Sequence, residues 1–300
     1  MKTEQKYQYG EFVFRIQDCM LRENEISLEG SEESLTAEVI RKTNIKARYD
    51  AACKMLLSNS MILSWILKCS VPEYREIEAG EIAEKYICGK ARTEKQPVHI
   101  NEVSQSGNGM TGAEDTTLYE GRITYDVKCE AILPETEGTV GIIIDLEGQN
   151  KMDLKYPLLK REIYYGCRLI SSQYGTEFRH SDYGKLKHVY SIWICMNPPE
   201  YRRNTINRYG IMESCEVGAV TEKKQNYNLM TVITVCLGEP EDEKLAASEN
   251  QSQSGVKLLR LLDILFFGEI SVKEKQQILE KEYGIPMTEK LKEEVREMCN

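Results

Sequence analysis

The order of patterned segments along this 300-residue chain predicts an α/β fold, with a central mixed sheet flanked by helices. Three observations support it. A helical segment precedes a group of short strands, a second helix separates them from two nearly continuous apolar strands, and helical segments close the sequence. The length suits one large domain or two ordinary ones, and 41% hydrophobic with 29% charged residues is typical of a globular protein.

The first helix is predicted from Asn44 to Cys69, where apolar residues recur at helical spacing, and Pro72 marks its end. A shorter helix is predicted from Ile77 to Ile87, and Val98 to Val103 favours a short strand. The glycine, serine and asparagine residues between Ser104 and Gly112 are typical of a loop.

The most informative segment, Ile123 to Asn150, predicts two alternating strands joined by the polar turn Glu135–Gly138. In the register that this turn sets, Asp126 lies directly opposite Glu147, and Gln149 points to the same side as Glu147. Like charges opposed across a sheet are destabilising. We therefore expect a cation between the two carboxylates.

A helix is predicted from Pro157 to about Tyr174, since proline is well tolerated at the first helical position. The apolar segments Val189–Met196 and Asn228–Leu237 predict strands, and the first is so continuously apolar that both its faces should be buried. We expect Ile192 and Trp193 in the core, together with four residues of the preceding helix. These are Leu158, Leu159, Ile163 and Leu169. The last three predicted helices are Val256–Phe267, Ser271–Tyr283 and Thr288–Cys299, with Ser271 and Thr288 as N-caps.

This order divides the chain into four predicted parts. An N-terminal extension covers residues 1–40 and a core covers 41–238. A polar, low-complexity linker or loop follows over 239–255, and a C-terminal helical region covers 256–300.

Composition narrows the class of protein. The longest apolar runs, such as Met61–Leu67, are too short to cross a bilayer, and the N-terminus lacks a signal peptide, so we expect a cytoplasmic protein. Ten cysteines without a C-x-x-C pair are typical of buried thiols rather than a zinc site. A net charge of −9 argues against a general nucleic-acid coat, but Lys151 to Arg208 has eleven basic against five acidic residues, enough for a basic face.

The hairpin resembles the core of PD-(D/E)XK nucleases, which runs helix, three-strand meander, helix and strand. Asp126 matches the aspartate of that pattern, and Glu147-Gly148-Gln149 matches its E-x-K element, with glutamine in the lysine position.

A longer similarity, over about residues 40 to 300, is to the Rpn-type family of recombination-promoting nucleases and putative transposases. The matching segments are ARYDAACKMLLSNSMILSWILK (47–68), GAEDTT (112–117), ITYDVKCEAILP (123–134), IIIDLEGQN (142–150), YPLLKREIYYGCRLISSQ (156–173), KHVYSIWICMNPP (187–199) and EVREMCN (294–300). The resemblance implies a restriction-endonuclease-like core with an additional C-terminal helical region. It also implies a magnesium-dependent endonuclease that hydrolyses phosphodiester bonds in DNA.

In that interpretation Asp126, Glu147 and the Gly148 carbonyl supply oxygen ligands to Mg²⁺, for which Mn²⁺ can substitute. Gln149 can orient a water molecule but is neither a cation nor a base, so the general base stays unassigned. Lys128 shares the side of Asp126, and we hypothesise that it supplies the missing positive charge. The alternative is a cross-strand ion pair with Asp145.

Two acids outside the hairpin are further candidates. Asp50 lies at a family position on the first helix, where a carboxylate often completes the metal site; the alternative is an exposed ion pair with Lys54 one turn later. Glu114, ahead of Asp115, follows the glycine-rich loop, and a site role competes with that of an acid at a helix N-terminus.

A basic face is predicted on the helix that follows the hairpin. Arg161, Tyr165 and Arg168 recur at helical spacing beside Lys160 and could contact DNA phosphates, or simply form a solvated face.

Two other functions stay open. One is a catalytically degenerate nuclease fold that serves as a DNA-binding or interaction module; the other is a carboxylate-triad transposase. DNA is the expected partner and a membrane is not. A homodimer would suit double-strand cutting, although no residue demonstrates one.

Overall fold

The structure is a computed structural model that describes residues 51–92, 97–99, 114–117, 121–124, 126–134, 141–151, 154–238, 252–267 and 270–298. Side chains are described in these ranges except at 89–92, 97–99, 114–117, 121–124, 141–151 and 297. All of these residues belong to one compact unit, Tyr49–Asn300, which is a mixed α/β fold.

The larger sheet has six strands in the order β1-β5-β6-β7-β9-β8. These strands are β1 (Ile87–Arg92), β5 (Val127–Ile132), β6 (Gly141–Lys151), β7 (His188–Asn197), β8 (Thr205–Gly210) and β9 (Met230–Cys236). The strands β6, β7 and β9 run parallel to one another, whereas β1, β5 and β8 pair antiparallel with their neighbours. A smaller sheet contains β2 (Pro97–His99), β3 (Glu114–Thr117) and β4 (Gly121–Thr124).

The predicted hairpin register is confirmed. In the β5–β6 ladder Val127 pairs with Leu146 and Lys128 pairs with Asp145. Alternate β5 residues are buried, as expected for a strand with one face on the core. The ladder begins at Val127, so the predicted pairing of Asp126 with Glu147 lies one residue beyond it. Ile123, predicted in the same strand as Asp126, belongs to β4 of the smaller sheet.

The prediction for β7 is also confirmed. Every residue from Val189 to Met196 is buried, because parallel strands flank β7 and helices cover both faces of the sheet. On one face lies helix α3 (Leu158–Ser171), which Pro157 precedes as N-cap. Its side of the sheet holds a small hydrophobic cluster composed of Leu158, Tyr165, Leu169, Val189, Trp193, Cys195 and Cys236.

The predicted first helix is two helices. Residues 51–58 form α1, and α2 (Ser60–Ser70) follows after Asn59, which has extended backbone angles. The Asn59 side chain accepts hydrogen bonds from the amides of Met61 and Ile62, an N-cap that starts a new helix. The start predicted at Asn44 lies outside the described residues.

The segment Ile77–Ile87 differs from its prediction as a helix. Only Ala79–Glu81 is α-helical; it continues as π-helix Ile82–Tyr86, and Ile87 already belongs to β1. The sequence also gave no sign of β8, which is mixed polar because it is an exposed edge strand.

Helices α4 (Gln253–Phe266), α5 (Val272–Tyr283) and α6 (Glu289–Met298) form the C-terminal region. Their predicted caps are confirmed, since the Ser271 and Thr288 hydroxyls accept amide hydrogen bonds from Glu274 and Leu291. These helices share one large hydrophobic cluster with α1, α2 and the second face of the sheet. The C-terminal region therefore packs into the same core as the sheet.

The predicted core residues are mostly confirmed. Ile192, Trp193, Leu158 and Leu169 are buried. The prediction that Ile163 is buried is wrong, because its side chain is exposed on the outer face of α3. Leu159 is only half-buried.

Candidate functional site

Asp126 lies immediately before β5 and is mostly shielded from solvent, with 14% of its side chain exposed. Its Oδ1 atom is 3.0 Å from the Nζ atom of Lys54, which projects from α1. Two segments that are distant in sequence therefore meet at this carboxylate. Because the pair is partly buried, water screens its attraction less than it would screen a surface ion pair.

The backbone of β6 brings the other predicted ligands to the same end of the sheet. In the β6–β7 ladder Glu147 pairs with Trp193 and Gln149 pairs with Cys195. These positions lie toward the carboxyl ends of two parallel strands, the edge at which open α/β sheets commonly bind ligands. The side chains of Glu147 and Gln149 are outside the described set.

Lys128 lies opposite Asp145 in the β5–β6 ladder, as predicted. Its side chain is half-buried. The register agrees with the predicted cross-strand pair, and it also keeps Lys128 two residues from Asp126, so both hypotheses for this lysine stand.

The structure describes the two candidate acids outside the hairpin, Asp50 and Glu114, to different extents. Asp50 lies outside the described residues, and Lys54, the residue proposed as its alternative partner, forms an ion pair with Asp126. Glu114 begins β3 and pairs across the ladder with Thr124, two residues before Asp126. Its backbone thus belongs to the strand pair that leads into the candidate site, although the side chain is not among those described.

The described side chains contain no cluster of three or more His, Cys, Asp or Glu residues able to hold a metal ion. Asp126 is the described member of the predicted ligand set. Its carboxylate is the kind of oxygen ligand that Mg²⁺ prefers.

The predicted basic face of α3 is divided between core and surface. Tyr165 is buried, and its ring meets Trp193 edge-on at a centroid separation of 5.3 Å. Arg161 lies over both rings and donates a 3.0 Å hydrogen bond from Nη2 to the Tyr165 hydroxyl. Lys160 is exposed and Arg168 is half-buried. Tyr165 therefore serves mainly in packing, while Lys160 is the most accessible of the four.

A cavity of about 750 Å³ lies where α3 begins, beside the carboxyl ends of β7 and β9. Apolar, aromatic and charged side chains line it, among them Pro157, Pro199, Tyr156, Tyr201, Lys155 and Arg202. Sequence reasoning missed this cavity, because its walls come from three separate segments of the chain.

Glu162 is the unusual member of the cavity lining. Its side chain is 0% exposed, and Oε2 accepts a 2.6 Å hydrogen bond from the Thr234 hydroxyl. Oε1 is buried without a hydrogen-bond partner within the described part of the chain. Burial raises the pKa of this carboxyl, and the Thr234 hydrogen bond and the Arg202 charge oppose that rise. An acid on the apolar side of α3, between Leu158 and Leu169, was the sequence signal that could have revealed it.

Comparison of the chain with protein-family models, with curated proteins and with solved structures found no match. Within the described ranges, no helix combines the length and the apolar character needed to cross a membrane.

Proposed function

We propose that this protein is a metal-dependent DNA endonuclease of the PD-(D/E)XK type, related to the Rpn-type nucleases. The observation that carries the proposal is the β5–β6 register, which pairs Val127 with Leu146 and so brings the neighbouring acids Asp126 and Glu147 to the same end of this ladder. The order of elements supports it: helices α1 and α2, the antiparallel run β1-β5-β6, helix α3, and then β7 parallel to β6. A recombination-promoting or mobile-element role follows from the resemblance alone.

In the proposed site, the carboxylates of Asp126 and Glu147 and the carbonyl of Gly148 hold Mg²⁺ or Mn²⁺. The bound metal supplies an activated water and neutralises charge on the phosphate. Gln149 orients the attacking water, since an amide can donate and accept hydrogen bonds but cannot remove a proton. Lys160 and Arg168 hold the DNA backbone through its phosphates.

Lys54 offers a positive charge that Gln149 lacks. Its ammonium lies 3.0 Å from Asp126, so it balances this carboxylate before a metal arrives. If Asp126 held a metal ion, the Lys54 ammonium beside it could contact the scissile phosphate. Lys128, two residues from Asp126, is the competing source of that charge.

The test is cleavage of supercoiled plasmid with Mg²⁺, with Mn²⁺ and with chelator. We expect metal-dependent cutting that Asp126→Ala and Glu147→Ala each reduce by at least about 100-fold, because each removes a metal ligand. Asp182→Ala is the matched control, since Asp182 is an exposed acid paired with Lys185 on a surface turn. Metal-dependent cutting that survives both substitutions would overturn the site assignment.

Two further variants identify which lysine, Lys54 or Lys128, supplies the positive charge of the proposed site. If Lys54 supplies it, Lys54→Met lowers the rate of cutting and Lys128→Met does not; the reverse pattern assigns it to Lys128. Both variants are compared with Lys85→Met, which removes an exposed lysine paired with Glu81 one helical turn away.

A catalytically degenerate nuclease fold that binds DNA is the second candidate. The Lys54–Asp126 ion pair favours it, because the ammonium already neutralises a carboxylate that would otherwise need a metal. Retained DNA binding without cutting under any metal would establish this candidate. Joined rather than cut strands would instead establish a transposase. Sedimentation of the DNA complex would show whether the protein binds DNA as a homodimer.

A further inference from the structure

The cavity beside α3 has the features of a binding site. Its volume of about 750 Å³ is within the usual range for ligand pockets, roughly 300–1,000 Å³. At its inner wall, the fully buried Glu162 has one carboxylate oxygen held by Thr234 and one without a partner in the described structure. A buried carboxylate oxygen without a partner is costly. This oxygen is closed to solvent in the unliganded protein, so the Glu162 side chain turns toward the cavity when a ligand donates a hydrogen bond to it.

The rim of the cavity carries aromatic and cationic side chains. Tyr201 is 80% exposed and Tyr156 is 46% exposed, so both rings are accessible to a ligand at the rim. The Arg202 guanidinium lies 5.8 Å from the centre of the Tyr201 ring, and Lys155 lines the same cavity. Exposed aromatic rings beside cationic groups are the combination that binds unpaired nucleotides, since bases stack on the rings and phosphates contact the cations.

The cavity also lies at a suitable distance from the proposed nuclease site. Asn197 lines the cavity and pairs with Lys151, four residues beyond Glu147 on β6. Four residues of strand span about 13 Å. Successive nucleotides of one DNA strand are spaced about 3.4 Å apart along a duplex. The cavity and the proposed nuclease site are therefore separated by roughly four nucleotides.

We propose that this cavity binds an unpaired or extruded nucleobase of the DNA substrate, and that Glu162 accepts a hydrogen bond from the exocyclic amino group of that base. Tyr201 stacks on the base, and Arg202 contacts a neighbouring phosphate. Cytosine and adenine offer such an amino group, whereas thymine presents a carbonyl oxygen at the corresponding position. The inference rests on the proposed function in that it assumes a DNA substrate, but it does not require cutting.

The test is binding in the presence of chelator, so that no cutting occurs. Full-length protein is titrated into fluorescent duplexes that are fully paired or carry one unpaired cytosine, one unpaired thymine or one abasic site. We expect the unpaired cytosine to bind about tenfold more tightly than the paired duplex or the abasic one, with thymine between them. Equal binding of all four duplexes would overturn the proposal, even if the protein cuts DNA.

Two variants separate recognition from folding. Tyr201→Ala should remove most of the preference for an unpaired base, whereas Tyr183→Ala, which removes another well-exposed tyrosine outside the cavity lining, should leave it intact. Glu162→Gln keeps the acceptor for Thr234 and turns an NH₂ group toward the ligand, so the preference should change from cytosine to thymine. If Glu162 had only a structural role, its substitution would not change the base preference. An unchanged order of affinities in the folded Glu162→Gln variant would therefore overturn the assigned role of Glu162.

Failure of the base-binding proposal can be distinguished from failure of the nuclease proposal. Cutting that depends on Asp126 without any preference for an unpaired base would remove the inference and leave the nuclease. A base preference that depends on Glu162 and Tyr201, in a protein that never cuts, would support the inference with the degenerate DNA-binding fold. No binding to any of the four duplexes in chelator would remove the base-binding inference, while plasmid cutting with Mg²⁺ decides the nuclease separately.

Discussion

Asp263 should make the stability of this protein depend on pH. It lies on α4 with only 4% of its surface exposed, where the Gly238 amide donates a hydrogen bond to its carboxylate. Its Oδ1 atom is buried without a partner within the described structure. Burial raises the pKa of Asp263 from its ordinary value of 3.8 to about 7, and the single amide hydrogen bond only partly opposes this rise. One hydrogen bond is too little compensation for a buried negative charge.

The sign of the effect follows from the direction of the shift. Below about pH 4 this carboxyl is protonated in both the folded and the unfolded chain, so no penalty arises. Between pH 4 and 7 the unfolded chain releases the proton while the folded chain keeps it, and stability falls as pH rises. A pKa raised by about 3 corresponds to a loss of about 4 kcal/mol in the free energy of unfolding, complete above pH 7.

The substitution Asp263→Asn removes the charge and keeps an oxygen to accept from Gly238. It leaves an unpaired NH₂ group, which costs about 1–3 kcal/mol at every pH. The variant should therefore be no more stable than the wild type at pH 4.5, and more stable by about 1–3 kcal/mol at pH 8. Urea unfolding followed by circular dichroism at pH values from 4.5 to 8 measures this change. The exposed acid Glu76 supplies the control Glu76→Gln.

A difference between Asp263→Asn and wild type that stays constant from pH 4.5 to 8 would refute the reasoning. It would mean that Asp263 is ionised in the folded protein at no cost, through water or neighbouring groups that compensate the charge.

Two further substitutions test the packing that joins distant segments. Gly238→Ala should destabilise the protein by about 1–3 kcal/mol in urea unfolding, because the added Cβ would collide with the Asn204 side chain. Gly80→Ala is its control, since a Cβ there meets nothing within 4 Å; equal stability of the two variants would contradict the collision. Trp65→Phe should cost about 1 kcal/mol or more in thermal unfolding, because the 2.8 Å hydrogen bond from Trp65 Nε1 to the Tyr283 carbonyl is lost. An unchanged midpoint would mean that this contact adds nothing to the docking of α5 on α2.

Several features of the fold could be predicted because they depend on neighbours in the sequence. The alternation of β5 and β6, together with a short turn, set the register that opposes Lys128 to Asp145. The continuous apolar run in β7 predicted burial on both faces. The Ser271 and Thr288 caps were recognisable because a cap and its amide partner are three residues apart.

Other features could not be predicted for equally physical reasons. Strand β8 has little apolar alternation because much of it is exposed to solvent. Its pairing with β9 depends on how the whole sheet assembles. Tyr165 and Ile163 were assigned to the wrong sides of α3, since helical spacing gives the faces of a helix but not the exact direction of the sheet.

The sequence by itself determined the mixed α/β class and the register that pairs Lys128 with Asp145, because both depend on periodicity and on a local turn. Only the tertiary structure decided that Lys54 balances Asp126 and that Glu162 is enclosed beside Thr234. These contacts join side chains from separate helices and strands, and their distances are fixed by how the elements pack rather than by spacing along the chain.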